Sequence, residues 1–356
     1  MKIRVSVLRE FNEPLLIEER ELPSLKEKEI LVRIKSSGVC GSDIHMWKGK
    51  DLRTPLPLIL GHEGVGVVED IKGKKQDIFG ERIKIGDFII WDRGLVCGNC
   101  YFCVIKKEPS LCVNRQVYGI TRDGCYATHI ILLKETKIIK IEEKIDPAIL
   151  VSASCSGATA AHAISQCEIS KEDTVIIQGP GPMGIFALAF ARERGAEKVF
   201  VIGTKRSEKR LKLCLEFGAT GILNINETSF EERISYIKEE TKGVGASVVI
   251  NCTNSSSALR EGLKMTAPGG TYALPGIATP IGDTPVSFYE DIVRKNIKIQ
   301  GIWVSDTAHL YQAVRLILSK KYPFEKLITR KFSLKEATEA LKSVDTRKVI
   351  KAVLIP

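Results

Sequence analysis

The sequence has few aromatic residues and no long apolar run. Phe, Trp and Tyr make up 6% of its 356 residues. No stretch reaches the roughly 20 apolar residues that a membrane helix needs. The start shows no basic end followed by an apolar segment and a small-residue cleavage site, so we expect no export signal. We therefore expect a soluble, cytoplasmic protein with no membrane partner.

Long basic runs are also missing, although the formal net charge is +10. Lys and Arg are spread among acidic neighbours with little aromatic interleaving, which is typical of a solvated surface. We therefore expect no nucleic-acid partner. Internal repeats, low-complexity tracts and Pro/Ser-rich linkers are absent, and a chain of 356 residues fits two folded domains.

The hydrophobic pattern changes along the chain. Short alternating segments such as EILVRIKSSG and HEGVGVVEDI predict a β-rich, barrel-like unit over residues 1–155. The succession TVIIQ, GPGPMG, IFALAFARERGA and KVFVIG then predicts strand, glycine turn, helix and strand, the βαβ unit of a doubly wound parallel sheet over 156–302. This rhythm ends near residue 303, so we expect 303–356 to return to the first domain. The predicted fold class is α/β.

Ten cysteines without an export signal indicate metal or catalytic thiols rather than a disulfide framework. Four of them form one short cluster: Cys97, Cys100, Cys103 and Cys112. Zn²⁺ takes four sulfur donors at about 2.3 Å, and these spacings let one loop surround the ion. We predict a structural zinc site, with unrelated thiols or local disulfides as the alternative.

A second candidate metal cluster is dispersed along the chain. It comprises Cys40 in GVCGSDIH, His62 and Glu63 in GHEGVG, and Cys155 in SASCSGAT. Each residue alone is weak evidence for a metal site, because a lone Cys is most often a small buried residue and a His beside a Glu is common on surfaces. Together they offer two sulfurs and one nitrogen, the set that leaves a fourth zinc position open for catalysis.

The glycine-rich loop directly follows the apolar strand TVIIQ and opens an amphipathic helix. It carries Gly179, Gly181 and Gly184 in the pattern GxGxxG. In this context the glycines let backbone N–H groups and the positive helix end approach a pyrophosphate, so the loop predicts dinucleotide binding. A glycine turn without a ligand is the alternative.

The end of the second strand bears on the choice of cofactor. A unit that binds NAD usually carries Asp or Glu there to bind the adenosine ribose, whereas this chain has Gly203, Thr204, Lys205 and Arg206. Two cations and a hydroxyl suit a 2′-phosphate, so we predict NADP preferred over NAD. The alternative is that Lys205 and Arg206 are only solvated surface residues.

These motifs together resemble the zinc-dependent medium-chain dehydrogenases, which include alcohol, sorbitol and threonine dehydrogenases. GVCGSDIH and GHEGVG resemble the family's two zinc-ligand motifs, CGNCYFC its structural zinc loop, and GPGPMG its cofactor loop. The resemblance covers nearly the whole chain. It implies a GroES-like β-barrel catalytic domain plus a Rossmann domain, with two Zn²⁺ per chain and hydride transfer between a nicotinamide cofactor and a secondary alcohol, polyol or sugar.

The resemblance also assigns roles to residues. It implies that Cys40, His62 and Cys155 bind the catalytic zinc, with Glu63 entering the coordination sphere transiently. Ser42 and His45 would form a proton relay, and Asp43 would support the histidine ligand. The expected cofactor contacts are Thr159, Gly179, Gly181, Pro182, Met183, Gly184, Thr204, Lys205, Arg206, Gly276, Ile277 and Ile302. The substrate pocket is expected near Trp47, Tyr118 and Ile302. The family usually forms dimers or tetramers, so a homodimer or homotetramer is expected.

The chain departs from the family pattern in two places away from the ligands. Eight residues separate Cys103 from Cys112 where seven is usual, and the segment KGKKQDIFGER is longer than the typical connection. Three other functions stay open: a non-catalytic family member with a binding or structural role, a zinc-loop nucleic-acid binder, and a zinc-free quinone or enoyl reductase. The retained ligands and relay argue against the first, and the lack of a basic helix or aromatic patch argues against the second.

Overall fold

The computed structural model describes all 356 residues, which form two compact units. The first unit contains Met1–Cys155, Ser305–Leu318 and Phe324–Pro356, and the second contains Ser156–Val304 and Ser319–Pro323. The second domain was predicted to end at residue 302, and the second unit extends to Val304. The segment Ser319–Pro323, predicted in the first domain, belongs to the second unit. That segment belongs to the second unit because the ring of Tyr322 stacks on Phe217, with centroids 5.9 Å apart.

The elements are numbered in chain order. The strands are β1 (Lys2–Leu8), β2 (Leu16–Glu21), β3 (Ile30–Val39), β4 (Leu58–Ile59), β5 (Gly64–Ile71), β6 (Phe88–Trp91), β7 (Gly94–Leu95), β8 (Gln116–Val117), β9 (His129–Leu132), β10 (Ile138–Lys140), β11 (Thr174–Gln178), β12 (Lys198–Gly203), β13 (Gly221–Asn224), β14 (Ala246–Asn251), β15 (Thr266–Leu274), β16 (Lys298–Gly301), β17 (Ile328–Ser333) and β18 (Lys351–Ile355). The α-helices are α1 (Gly41–Trp47), α2 (Tyr101–Val104), α3 (Pro147–Leu150), α4 (Ser156–Ser165), α5 (Pro182–Glu193), α6 (Glu208–Glu216), α7 (Phe230–Glu240), α8 (Ser256–Met265), α9 (Thr307–Leu318) and α10 (Ala337–Asp345). Short 3₁₀ turns cover Pro109–Leu111, Val151–Ala153, Lys205–Ser207, Phe324–Leu327 and Leu334–Glu336, and Phe288–Val293 is a π-helix.

The first unit is built mainly from antiparallel strands. Its largest sheet has the order β10-β6-β5-β3-β18-β17, with β9 also pairing with β3, and a smaller sheet has the order β2-β1-β4. The alternating sequence of β3 places Ile30, Val32 and Ile34 in the core. The C-terminal strand β18 pairs antiparallel with β3, which brings Ala352 opposite Val39. The end of the chain thus lies beside the strand that leads to Cys40.

The second unit is a parallel sheet of six strands in the order β13-β12-β11-β14-β15-β16. Every residue of β11 is buried, as expected for a strand covered by helices on both faces. The strand order reverses between β11 and β14, and ligands of doubly wound folds bind at such a switch point, beyond the carboxyl ends of the strands. The α/β fold class is confirmed.

Two further features of the chain can be located. No single helix is long and apolar enough to cross a membrane, while one bent pair, Pro147–Ala153 with Ser156–Ser165, reaches that length and composition together. The long segment KGKKQDIFGER lies on the first unit. There the ring of Phe79 meets Tyr311 edge to face, with centroids 5.3 Å apart.

Candidate active site and zinc sites

The four-cysteine loop leaves the first unit through a short two-stranded ribbon. Strands β7 and β8 pair antiparallel and form its neck, and the sulfurs of Cys97, Cys100, Cys103 and Cys112 all lie within 4.8 Å of one another. The Sγ atoms of Cys97 and Cys112 are 3.5 Å apart, as are those of Cys100 and Cys103. Four sulfurs at tetrahedral positions around Zn²⁺ would be about 3.8 Å apart. The loop therefore fits one zinc ion, even with its extra residue.

Backbone N–H groups prepare this loop for thiolates. Those of Cys103 and Val113 lower the pKa of Cys100 to about 6. The N–H of Cys97 also donates to the Cys112 sulfur at 3.4 Å. Zn²⁺ binds the thiolate form of cysteine, so the donors to Cys100 favour the ionised form that a metal requires. Burial and the contact with Cys100 raise the pKa of Cys103 to about 12, so a metal there would displace a proton.

The second cluster brings together residues that are far apart in the sequence. One ligand atom each from Cys40, His62, Glu63 and Cys155 lies within 4.8 Å of the others. The Sγ atoms of Cys40 and Cys155 are 3.9 Å apart, close to the separation of about 3.8 Å that a shared tetrahedral zinc would impose. Cys40 follows β3 and caps helix α1, His62 and Glu63 immediately precede β5, and Cys155 immediately precedes α4. The residue after β3 and the segment before β5 thus supply three of the four groups.

The His62 ring has one nitrogen bonded and one unsatisfied. Its Nδ1 donates to the Asp43 carboxylate at 3.0 Å, whereas its buried Nε2 has no hydrogen-bond partner. Burial lowers the pKa of His62, but the Asp43 carboxylate outweighs burial and raises that pKa to about 10. Zinc binds the neutral imidazole, so an ion at Nε2 would displace a proton. With the proton of the neutral ring on Nδ1, bonded to Asp43, Nε2 carries the lone pair that a metal ligand needs.

Asp43 is completely buried and supports two of the candidate ligands. Its carboxylate accepts the Cys40 N–H at 2.8 Å as well as the His62 bond. The hydroxyl of Tyr126, itself fully buried, donates to the same carboxylate at 3.1 Å. Four groups from separate parts of the first unit are thus held in one arrangement.

Glu63 has a cationic partner that no sequence motif indicates. The Lys351 ammonium of β18 contacts the Glu63 carboxylate, and both side chains are almost fully buried. The carboxylate also occupies the space beside Gly38, where an added Cβ would lie 2.0 Å from Glu63 Oε2. The missing side chain of Gly38 thereby leaves room for the Glu63 carboxylate, which contacts Lys351.

The two thiols of this cluster have unequal proton affinity. The hydrogen bond between them raises the pKa of Cys40 well above its usual value, and burial acts in the same direction. The same bond lowers the pKa of Cys155, against the effect of burial and with help from the charges of Arg93 and Lys351. Arg93 is buried, and its guanidinium donates to the carbonyl oxygen of Ser154, directly before Cys155. Cationic groups thus surround the Cys155 side of the cluster.

The two relay residues lie on one face of α1. Ser42 and His45 are three residues apart, and both side chains are half-buried. Ser42 Oγ lies 3.9 Å from the Cys40 sulfur, so its hydroxyl borders the metal cluster. Burial, together with the nearby Lys50, lowers the pKa of His45. His45 is therefore neutral and able to accept a proton at neutral pH.

The glycine loop has a different constraint at each glycine. Gly179 has a φ of +101°, which favours a residue without a Cβ. At Gly184 a Cβ would lie 1.9 Å from the Gly179 carbonyl oxygen, so this glycine permits helix α5 to pack on its strand. A Cβ at Gly181 would meet nothing within 4 Å, which leaves open space at the N-terminus of a helix of 12 residues. These are the features of a pyrophosphate cradle.

The end of β12 has no room for a ribose-binding carboxylate at Gly203. A Cβ there would lie 2.8 Å from the ring of Pro180. Beyond it, Lys205 and Arg206 are exposed at the start of a 3₁₀ turn, and the Lys205 N–H donates to Asn226 at 2.8 Å. Two exposed cations stand where a carboxylate would otherwise bind the ribose.

The other predicted cofactor residues all belong to the second unit. Gly276 and Ile277 follow β15, Ile302 follows β16, and Thr159 is buried on α4. Pro182 and Met183 form the first turn of α5, and Thr204 precedes the 3₁₀ turn after β12.

The predicted pocket residues of the first unit are well buried. Trp47 is 7% exposed, and its indole N–H donates to the Glu13 carbonyl at 2.7 Å. Tyr118 is 1% exposed, and its hydroxyl forms a hydrogen bond with Thr136 at 2.8 Å.

The sequence analysis missed three residues of the first unit that support the dispersed cluster: Arg93, Tyr126 and Lys351. None belongs to a recognisable motif. The available signal was weak: VIKAVLIP puts a single lysine inside an apolar strand pattern, and a buried lysine needs an anionic partner.

Comparison with known families supports this architecture. The model described as the alcohol dehydrogenase GroES-like domain matches residues 26–143, and the model described as a zinc-binding dehydrogenase matches residues 182–319.

Individual relatives extend over nearly the whole chain. 5-exo-hydroxycamphor dehydrogenase of Pseudomonas putida is 32% identical over 91% of both chains, and sorbitol dehydrogenase of Halalkalibacterium halodurans is 28% identical over 96% of this chain and 95% of its own. The crystal structure of an alcohol dehydrogenase from Thermotoga maritima is 46% identical, covers 100% of both chains and superposes with a TM-score of 0.97. These findings support no non-catalytic role. The chain belongs to the zinc-dependent medium-chain dehydrogenase family and is an oxidoreductase of the alcohol and polyol dehydrogenase type.

Proposed function

We propose that this protein is an NADP-preferring dehydrogenase of secondary alcohols, polyols or sugars that holds two zinc ions per chain. The catalytic zinc is bound by Cys40, His62 and Cys155, with Glu63 as an intermittent fourth ligand. The structural zinc is bound by the four-cysteine loop. Catalysis is carried by the dispersed cluster, because three donors leave one coordination position for substrate.

One observation carries this proposal. The buried His62 Nε2 has no hydrogen-bond partner and belongs to a cluster in which two sulfurs lie 3.9 Å apart. An unsatisfied buried nitrogen costs about 1–3 kcal/mol, and a ligand at that position removes the cost. Two thiolates and an imidazole match the preference of Zn²⁺ for sulfur and nitrogen donors.

Each residue around the cluster has a distinct task. Zinc, when held there, supplies a Lewis acid that polarises the substrate oxygen. Asp43 accepts the proton-bearing Nδ1 of His62, so that the lone pair on Nε2 is free for the metal, and Lys351 neutralises the charge of the buried Glu63. The Ser42 hydroxyl receives the proton of the alcohol and passes it towards His45, which is neutral at pH 7. A nicotinamide cofactor held at the Gly179–Gly184 loop would accept the hydride of the alcohol carbon, which would leave a carbonyl product and one proton.

The cofactor preference rests on the end of β12. Lys205 and Arg206 supply positive charge, and Gly203 cannot be replaced by a carboxylate without displacing Pro180. Together they favour a 2′-phosphate over a free ribose hydroxyl.

A homodimer or homotetramer in a reducing compartment such as the cytoplasm completes the proposal. Strand β16 is the edge of its sheet, and Ile299 and Trp303 are 42% and 47% exposed there. An unpaired edge with exposed apolar side chains favours a second copy of the chain. None of the ten cysteines is in a disulfide, and both zinc sites require reduced cysteines.

Metal analysis combined with turnover tests the zinc assignment. The purified protein should contain two zinc ions per chain. Cys40→Ser should reduce the count to one and abolish oxidation of every alcohol in a panel that includes 5-exo-hydroxycamphor, sorbitol, L-threonine and aldoses. A fully active Cys40→Ser variant, or a wild-type protein with one zinc or none, would overturn the assignment.

A charge reversal tests the cofactor preference. Lys205→Asp/Arg206→Ala should lower the ratio of kcat/KM for NADP⁺ to that for NAD⁺ by at least tenfold. Lys238→Asp, an equally exposed lysine on α7 of the same unit, serves as the control and should leave the ratio unchanged. An unaltered ratio in the first variant would contradict the proposed preference.

A further inference from the structure

The three proposed ligands of the catalytic zinc differ in how their backbone and rings are held. Cys40 follows strand β3 and its N–H is bonded to Asp43, and the His62 ring is bonded to the same carboxylate. Cys155 lies between the 3₁₀ turn Val151–Ala153 and helix α4, and no bond to Asp43 holds it. Its position therefore depends on the turn before it and on the start of α4.

Arg93 makes the contact that fixes this turn. Its guanidinium donates to the carbonyl of Ser154, the peptide group that joins Ser154 to Cys155. Arg93 is 4% exposed and Ser154 is 3% exposed, so water does not compete for this bond. A hydrogen bond from a charged donor to a buried acceptor is stronger than a neutral one.

The base of the four-cysteine loop holds Arg93 rigidly. Arg93 lies between β6 and β7, and its carbonyl accepts the Tyr118 N–H at 3.0 Å, next to the pairing of β7 with β8. The neighbouring Asp92 accepts the Gly94 N–H at 2.8 Å and the Thr307 hydroxyl at 2.7 Å. A side chain anchored in this way transmits a defined position to the peptide that it binds.

We propose that Arg93 is a positioning residue that holds the Ser154–Cys155 peptide, and with it the Cys155 sulfur, at the geometry the catalytic zinc requires. This inference rests on the proposed function, because it takes Cys155 as a zinc ligand. Removal of Arg93 frees the turn and takes away one of the two cationic groups, Arg93 and Lys351, whose charges act on Cys155. The ion then dissociates faster from the dispersed cluster, while the four-cysteine site keeps its own ligands.

Zinc release to a chromogenic chelator tests the inference without relying on turnover. In Arg93→Met, one of the two zinc ions should leave about 10–100-fold faster than in the wild type, the usual effect of losing a group that orients a metal ligand. The other ion should leave at the wild-type rate. Arg93→Lys, which keeps a charged donor, should restore slow release at least in part.

Arg115→Met is the matched control. Arg115 is a half-buried arginine at the same neck, its guanidinium lies against Gly94, and it makes no bond to Ser154. The zinc ion of the dispersed cluster should leave this variant at the wild-type rate. If Arg93→Met does not fold, Arg93→Gln replaces it, because glutamine is polar yet too short to reach the Ser154 carbonyl.

The outcomes separate this inference from the proposed function. Selective loss of one ion in Arg93→Met or Arg93→Gln supports it. Release of both ions at wild-type rates, or equal acceleration of both, overturns the role of Arg93 while the two-zinc assignment survives. A Cys40→Ser variant that holds as many zinc ions as the wild type overturns the proposed function itself.

Discussion

Replacing Lys351 by methionine would leave the Glu63 carboxylate buried without its cation. Methionine approximates the length of the lysine stem and removes only the charge. Glu63 is fully buried and Lys351 is 1% exposed, so water cannot reach either group to compensate. Burial lowers the pKa of Lys351, but Glu63 and Cys40 outweigh burial and raise that pKa above 10.5. Lys351 is therefore charged at pH 7, and its contribution is lost only at strongly alkaline pH.

The expected cost follows from the burial. Removing one partner of a buried ion pair destabilises a protein by about 3–5 kcal/mol, because the remaining charge is uncompensated. A loss of 1 kcal/mol lowers Tm by roughly 2–4 °C in domains of 150–250 residues, so Lys351→Met should lower the Tm of the first unit by roughly 6–20 °C. Lys351→Met/Glu63→Gln removes both charges and should recover most of that loss.

Thermal unfolding followed by tryptophan fluorescence measures the effect, because Trp47 and Trp91, two of the three tryptophans, are buried in the first unit. Lys348→Met, an exposed lysine three residues earlier, serves as the control and should change Tm by less than about 2 °C. The loss in Lys351→Met should be larger in zinc-free protein, because zinc offers Glu63 another cation. A Lys351→Met variant as stable as the control, with or without zinc, would refute the assigned pairing.

Four other substitutions give distinct outcomes. His45→Ala should keep measurable activity but lose the acidic limb of the pH–rate profile. In the wild type this limb lies below pH 6.5, because burial lowers the pKa of His45 and protonated His45 accepts no proton. An unchanged profile would remove His45 from the relay. Cys103→Ser should cost one zinc per chain and shorten the half-life at elevated temperature, and a variant that retains two ions would contradict the four-cysteine site. Gly184→Ala should destabilise the second unit by at least about 1 kcal/mol in urea unfolding, because its Cβ would lie 1.9 Å from the Gly179 oxygen. Gly181→Ala should fold normally and weaken NADP binding about tenfold, because a Cβ there meets nothing within 4 Å. Equal stability of the two variants would refute this division of roles.

Local patterns were sufficient for the elements whose partners are close in sequence. The four cysteines lie on one loop, and the glycine loop lies between a strand and the helix that follows it. Their geometry depends on a few backbone torsions, which residue type restricts directly. The pattern of β11, α5 and β12 likewise predicted a parallel sheet, because each segment shows its own periodicity.

Boundaries and pocket residues were harder to predict. Residues Ser319–Pro323 belong to the second unit through the contact of Tyr322 with Phe217, and nothing in their sequence indicates that contact. The direction of the Tyr118 side chain is likewise not recorded in its own segment, because its hydroxyl bonds Thr136, 18 residues away. Side-chain direction depends on strand register, and a shift of one residue sends a side chain to the opposite face.

The sequence by itself determined the ligand types, the two metal clusters as candidates and the family of the enzyme. Tertiary structure alone decided which groups support them. Lys351 reaches Glu63 because β18 pairs with β3, and Arg93 reaches Ser154, 61 residues away, from the neck of the four-cysteine loop. A buried charge can be neutralised by any residue that the fold brings within a few ångströms. Strand pairing and chain crossover choose that residue, and no local spacing records the choice.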